Sequence, residues 1–229
     1  MATTGTYAFA PSLGELVLYA YGQIGIRPTA LLQEHMQTAR VAANLLLAGW
    51  ANQGVNLWAV ELVSVPLVQG VFEYAVPATT VVILDAYIAT VANGVETDRI
   101  VLPVSRTEYA SYPSKTMRGA PTVFWFDRLL SPTVTLWPVP DGTGEQYFKY
   151  YRLRQLQDAA TTDGATVEIP YVWLDAFADA LSARLARTWA PELAGGLKAQ
   201  AAESYMLAAQ RNVENSAVYI SPIIAGYFR

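Results

Sequence analysis

The chain contains no cysteine and a single histidine. The first absence excludes disulfides and thiolate metal sites, and leaves the redox compartment open. The second removes most catalytic pairings: no serine–histidine or cysteine–histidine nucleophile can be built away from His35. A zinc site, which needs several His or Cys ligands, is excluded on the same ground. Charge is also scarce: charged residues make up 15% of the chain, against about 25% in ordinary soluble domains. No apolar run of about 18 residues occurs, so no membrane-spanning helix is expected. The opening "MATTGTYAFAPSLGELVLYAYG" lacks the basic region of a signal peptide, which predicts a cytoplasm-like setting.

What is present is apolar: 53% hydrophobic residues, with 6 Trp, 14 Tyr and 7 Phe among 229. That length allows one large domain or two small ones with a sizeable core. So little charge leaves two readings, a large core or a surface covered by other protein chains. A net charge of -4 argues against a general nucleic-acid binder. The charge is unevenly spread. Residues 1–98 hold seven acids and two bases, residues 99–154 four acids and eight bases, and residues 155–229 eight acids and five bases. The basic middle is set apart from both flanks, as a separate domain would be.

Ser12 suits the N-cap of a helix beginning at Leu13, with Glu15 near its start and an end near Gly25. A second helix is expected to open at Pro28 and Thr29. Its apolar stripe would be Leu32, Met36, Ala39, Ala43, Leu46 and Trp50, and Gly54 would terminate it. These two helices read as an antiparallel hairpin, with His35 on a helix surface or interface. After Gly54 come short β-branched runs broken by Pro, Gly and Asn, including an Asn93-Gly94 hairpin turn. Segment 105–121 reads as a long exposed loop with one short helical turn, "GAPTVFWFDRLLSPTVTLWPVPDG" as a hairpin, and "DGTGEQ" as a hairpin loop. About seven strands between 57 and 157 imply a small antiparallel β-sandwich or barrel. Pro170 starts a helix with Leu174, Phe177, Leu181 and Leu185 on one face. Pro191 precedes another, in which Gly195-Gly196 would permit close packing or a bend.

The expected fold is therefore α+β. An antiparallel helical bundle is split between residues 1–55 and 158–214. A β-domain spans 56–157, and an extended apolar tail spans 215–229.

Chemistry is thinly represented. Asp175 and Asp179 share a helix face, but with Asp158, Asp163 and Glu168 they read as a solvated acidic face rather than a glycosidase pair. Asp127 and Asp141 suit turns. Arg99, Arg106, Lys115, Arg118 and Arg128 interleave with Tyr109, Tyr112, Trp125 and Phe126, a mixture that suits single strands or sugars, or a sheet with a charged exterior. Within the hairpin, alternation puts Val123 and Trp125 on one face and Phe124 and Phe126 on the other. Trp137 lies opposite Val134 and Leu136. One face should fill the β-core. The other needs a cover, expected from a neighbouring subunit or another protein.

Three stretches taken in order carry a resemblance. "LVLYAYGQIGIRP" leads into "VAANLLLAGWANQGVNLWAVE"; "PTVFWFDR" and "PTVTLWPVPD" follow; then come "IPYVWLDAFADALSARLARTWAPEL" and "NSAVYISP". Together they resemble the head-to-tail adaptor proteins of tailed bacteriophages, the family of the tail accessory factors and tail tubular A proteins. The resemblance implies a non-enzymatic virion protein without a cofactor. It implies a homo-oligomeric ring of about twelve copies, a dodecamer, beneath the portal protein. A downstream tail or nozzle protein would dock on the ring, double-stranded DNA would pass through it without sequence-specific binding, and no membrane would be involved. The portal grip would fall on Val218, Tyr219, Ile220, Ile223, Ile224, Tyr227, Phe228 and Arg229. A subunit or tail interface would fall on Tyr109, Tyr112, Lys115, Arg118, Trp125, Phe126 and Trp137. A carbohydrate-binding or wall-degrading virion module, and another neck or tail-tube protein, stand as alternatives.

Overall fold

The computed structural model describes residues 5–54, 56–92, 94–160 and 164–213. The tail residues Val218 to Arg229, and Asn93 and Asp163, lie outside them. Among the described residues the chain is α+β, with five α-helices and a seven-stranded mixed sheet that curls into a half-barrel.

Helix α1 (Leu13–Gln23) starts as its cap predicts. Ser12 Oγ accepts from the Glu15 N–H at 3.2 Å, and Glu15 Oε2 accepts from the Ser12 N–H at 2.7 Å. Helix α2 (Gln33–Ala51) starts later than expected. Pro28–Ala30 forms one 3-10 turn, the backbone then extends through Leu31 and Leu32, and the helix restarts. The restart is capped from within, because His35 Nδ1 accepts the Leu32 N–H at 3.1 Å. Leu32 is consequently exposed, and His35, 7% exposed, takes its place in the core. The imidazole stacks on Trp189 at 4.1 Å and meets Tyr21 edge-on at 5.4 Å. Of the two expected settings, helix surface or interface, His35 takes the second, buried against Tyr21 and Trp189.

Helices α4 (Leu174–Trp189) and α5 (Ala194–Ala209) complete the helical part. In α4, Phe177, Leu181 and Leu185 are fully buried along the expected stripe. α1 and α2 each pack on α4, and direct contact between the two is slight, so they are not a self-packed hairpin. Trp50 closes the cluster from α2, with ring centroids 5.1 Å from Trp173, 6.0 Å from Phe177 and 5.7 Å from Tyr205. Gly195 and Gly196 have open space where a Cβ would stand, so they do not serve close packing.

The five acids expected as one solvated face divide. Asp158 is exposed. Glu168 pairs with Arg154, which holds its carboxyl below the ordinary range. Asp175 is exposed. Asp179 is buried between α4 and α5, where Gln200 Nε2 donates to its Oδ1 at 3.2 Å and burial raises its pKa. A raised carboxyl favours folding while protonated and loses that contribution as pH rises through its native pKa. Asp179→Asn, which can still accept from Gln200, is therefore expected to raise the thermal midpoint at pH 7. The difference from the parent should close as both are melted at successively lower pH, below about 4.

The sheet order is β1-β7-β3-β4-β5-β6-β2, from strands β1 (Val60–Pro66), β2 (Glu73–Ala75), β3 (Thr80–Ala92), β4 (Val95–Pro103), β5 (Val123–Asp127), β6 (Thr133–Trp137) and β7 (Glu145–Arg154). The β3–β4 hairpin forms where Asn-Gly predicts it: Ala92 faces Val95, and Gly94 has φ +76°. Two expectations are corrected. β4 and β5 run parallel, because the 104–122 crossover returns the chain in the same direction. The "DGTGEQ" segment joins strands from opposite halves of the sheet rather than a hairpin, since β6 and β7 are not neighbours. There Gly142 has φ +81° and leaves only 3.0 Å between a hypothetical Cβ and Gln69.

The curl lets the two halves of one sheet share a core, so no second sheet is needed. Phe124 from β5 lies 5.8 Å from Phe148 of β7, itself 5.1 Å from Tyr150. Val134, Leu136, Ile88 and Val101 fill the rest. At one edge Arg152 is buried but fully engaged. Its Nε donates to Glu61 Oε1 at 2.7 Å and its Nη1 to Thr80 Oγ1 at 2.7 Å, which ties β7 to β1 and β3.

Candidate functional site

The β5–β6 hairpin presents two faces, and the register assigns them. Val123 opposes Trp137, Trp125 opposes Thr135, Phe124 opposes Leu136, and Phe126 opposes Val134. Phe124, Val134 and Leu136 fill the β-core, with Phe126 half-buried against it. The guanidinium of Arg128 lies 5.8 Å from the Phe126 ring.

The other face receives its cover from the same chain. Ser105 Oγ accepts the Glu108 N–H at 3.1 Å and starts helix α3 (Arg106–Ser111). That helix aims Tyr109 at Trp125, stacked at 5.6 Å, and the following Tyr112 at Trp137, stacked at 4.2 Å. The Trp137 indole N–H donates to the Ser114 carbonyl at 2.8 Å. Lys115 Nζ closes the top, 4.6 Å from the Tyr109 centroid, and donates to the carbonyls of Tyr109 and Tyr112. Five of the seven expected interface residues therefore form one stacked unit. Phe126 lies on the opposite face. Arg118 stands apart, bridged to Val139 with its guanidinium beside Gly70.

This unit holds no nucleophile–base pair. Burial raises both phenols, with Glu73 acting on Tyr109 and Glu108 on Tyr112 in the same direction. Among the described residues no cluster of three His, Cys, Asp or Glu could hold a metal. No described helix is long and apolar enough to cross a membrane.

The sequence reading missed two grooves beside α4. One, of about 740 Å³, is lined by Phe9, Tyr19, Tyr171, Asp175 and Leu207 among others, from the segment before α1, α1, α4, α5 and the 3-10 turn before α4. The second, of about 440 Å³, lies between α2 and α4, with Val41, Leu45, Arg184 and Arg187 in its lining. Burial, with the charge of Arg187 beside it, pushes Arg184 below the ordinary arginine value. The available signal was the set of large apolar residues that fall off the core stripes: Tyr19 on α1, Val41 and Leu45 on α2, Leu207 on α5.

The chain thus exposes apolar side chains in both parts, and the SU10 adaptor protein family model matches residues 21–223. The chain belongs to that family. It is a phage adaptor protein, a virion component whose partners are other phage assembly proteins. No curated protein matches it. The adaptor's exposed apolar positions are numerous at its β end. Leu130, at the tip of the β5–β6 turn, is 99% exposed, and Ile100 on β4 is 75% exposed. An assembly protein presents such surface to a partner.

Proposed function

We propose that the adaptor is a non-enzymatic head-to-tail connector that forms a ring of about twelve copies beneath the portal. The helical residues 1–55 and 158–214 form one domain, which packs between neighbours. The β-domain of residues 56–157 faces the tail and docks the next tail or nozzle protein. The tail from 215, with Val218, Tyr219, Ile220, Ile223, Ile224, Tyr227, Phe228 and Arg229, grips the portal. DNA passes through the ring without sequence-specific contacts, and assembly takes place in the host cytoplasm.

Family membership carries this reading, and the exposed apolar residues support it. Leu129 and Leu130 at the hairpin tip, and Ile100 and Leu102 on β4, are costly to leave in water and suit a protein partner. Tyr109, Tyr112 and Lys115 of the stacked unit, with Arg118 apart from it, belong to the tail-side surface. A sugar-binding platform is less well supported, since Trp125 and Trp137 each have a face taken by a tyrosine of the same chain.

The test is a deletion of residues 216–229. It is expected to weaken binding to purified portal by at least about tenfold, with an unchanged circular dichroism spectrum and melting midpoint. Unchanged portal affinity would overturn the assignment of the grip, and global unfolding would make the segment part of the core.

A further inference from the structure

The two grooves beside α4 differ in charge as well as size. Asp175 and Glu15 line the larger one, and Glu203 stands on α5 one turn from Leu207 of its lining. Among the described residues Arg211 is the single cation in that lining. The smaller groove is lined by Arg184 and Arg187, with no carboxylate among its described lining residues. Among the described residues neither arginine has an ion pair or a hydrogen bond. Val41 and Leu45 of the same lining are 52% and 57% exposed.

Asp175 and Arg184 are both on α4, nine residues apart. Nine residues are about two and a half turns, so the two side chains leave the helix on opposite sides. The helical part therefore carries a concave, aromatic, acidic groove on one side and an aliphatic, basic surface on the other.

We propose that these two surfaces are the two halves of one subunit interface. The Val41–Leu45 surface of one copy seats in the Tyr19–Tyr171–Leu207 groove of the next, with Arg184 and Arg187 facing Asp175 and Glu203. The inference rests on the ring reading above and names its contact. An isologous dimer through either face would set like charges against each other. Head-to-tail pairing sets arginines against carboxylates, and repetition of a heterologous contact gives a ring when the rotation closes. The half-buried, unpaired Arg184 then gains a partner only in the assembly.

Charge exchange tests this directly, read by mass photometry and negative-stain imaging of the full chain, with and without portal. Arg184→Glu with Arg187→Glu makes a chain acidic on both sides; Asp175→Lys with Glu203→Lys makes one basic on both sides. Glu15 is left alone because it caps α1. Each variant alone is expected to lose the ring and run as a single chain, with a circular dichroism spectrum like the parent's. An equimolar mixture is expected to regain the ring, because every contact is then again acid on base. Wild-type rings should also shrink in population as salt rises. The proposal is overturned if either variant alone assembles like wild type, or if the folded variants fail to assemble when mixed. It is overturned too if removing 214–229 abolishes the wild-type ring in the absence of portal, since the groove then belongs to the tail. A wild-type chain that forms no ring even with portal defeats the ring reading itself; a wild-type ring indifferent to the exchanges defeats this contact alone.

Discussion

Replacing Phe148 with alanine is expected to lower stability by about 3–5 kcal/mol, the range for losing a large aromatic from a packed core. Phe148 is fully buried on β7 and contacts rings from both halves of the curled sheet, Phe124 across the fold and Tyr150 along its own strand. The void cannot be filled by a shift of one half without breaking the β7 ladder, which pairs with β1 on one side and β3 on the other. Urea denaturation should show the midpoint falling with an unchanged slope. Phe126→Ala, on the same side of the sheet but only half-buried, should cost much less. Equal losses at the two positions would contradict the burial that separates them.

The second large effect belongs to the helical part. Trp50→Ala is expected to cost about 3–5 kcal/mol by the same route. The loss has a functional consequence that Phe148→Ala lacks. Trp50 is the α2 side chain against which Trp173, Phe177 and Tyr205 pack, so it holds α2, the turn before α4, α4 and α5 together. Those elements build both grooves. Ring assembly should therefore weaken in Trp50→Ala at temperatures well below its melting midpoint. Assembly that persists up to the melting midpoint would separate the grooves from the ring contact.

Local signals were read well where one element carries the whole message. The capping pair Ser12 and Glu15, the α4 stripe of Phe177, Leu181 and Leu185, and the Asn-Gly turn need only neighbours in sequence. The two faces of the β5–β6 hairpin were legible from alternation, and the register reproduces them. What failed to show was what depends on distant residues. His35 reads as a helix-surface or interface residue among polar neighbours, and its burial depends on Trp189 and Tyr21, which arrive from other helices. The parallel β4–β5 pair was hidden because the connecting segment reads as an open loop, whereas it folds back and stacks Tyr109 and Tyr112 on the tryptophans. The requirement for a cover over Trp125 and Trp137 was sound; its source in the same chain was not visible from strand periodicity. The grooves were missed for a related reason, since each is bounded by helices remote in sequence.

In the proposed function this adaptor assembles as a ring on the portal, with its helical part packed between neighbouring subunits. Cryo-electron microscopy of the full chain mixed with purified portal tests it most directly. The predicted result is a closed ring of about twelve copies on one end of the portal, with the β-domains on the side away from it. Portal particles that carry no added ring, or a ring joined to the portal through the Leu129–Leu130 hairpin tips, would contradict it.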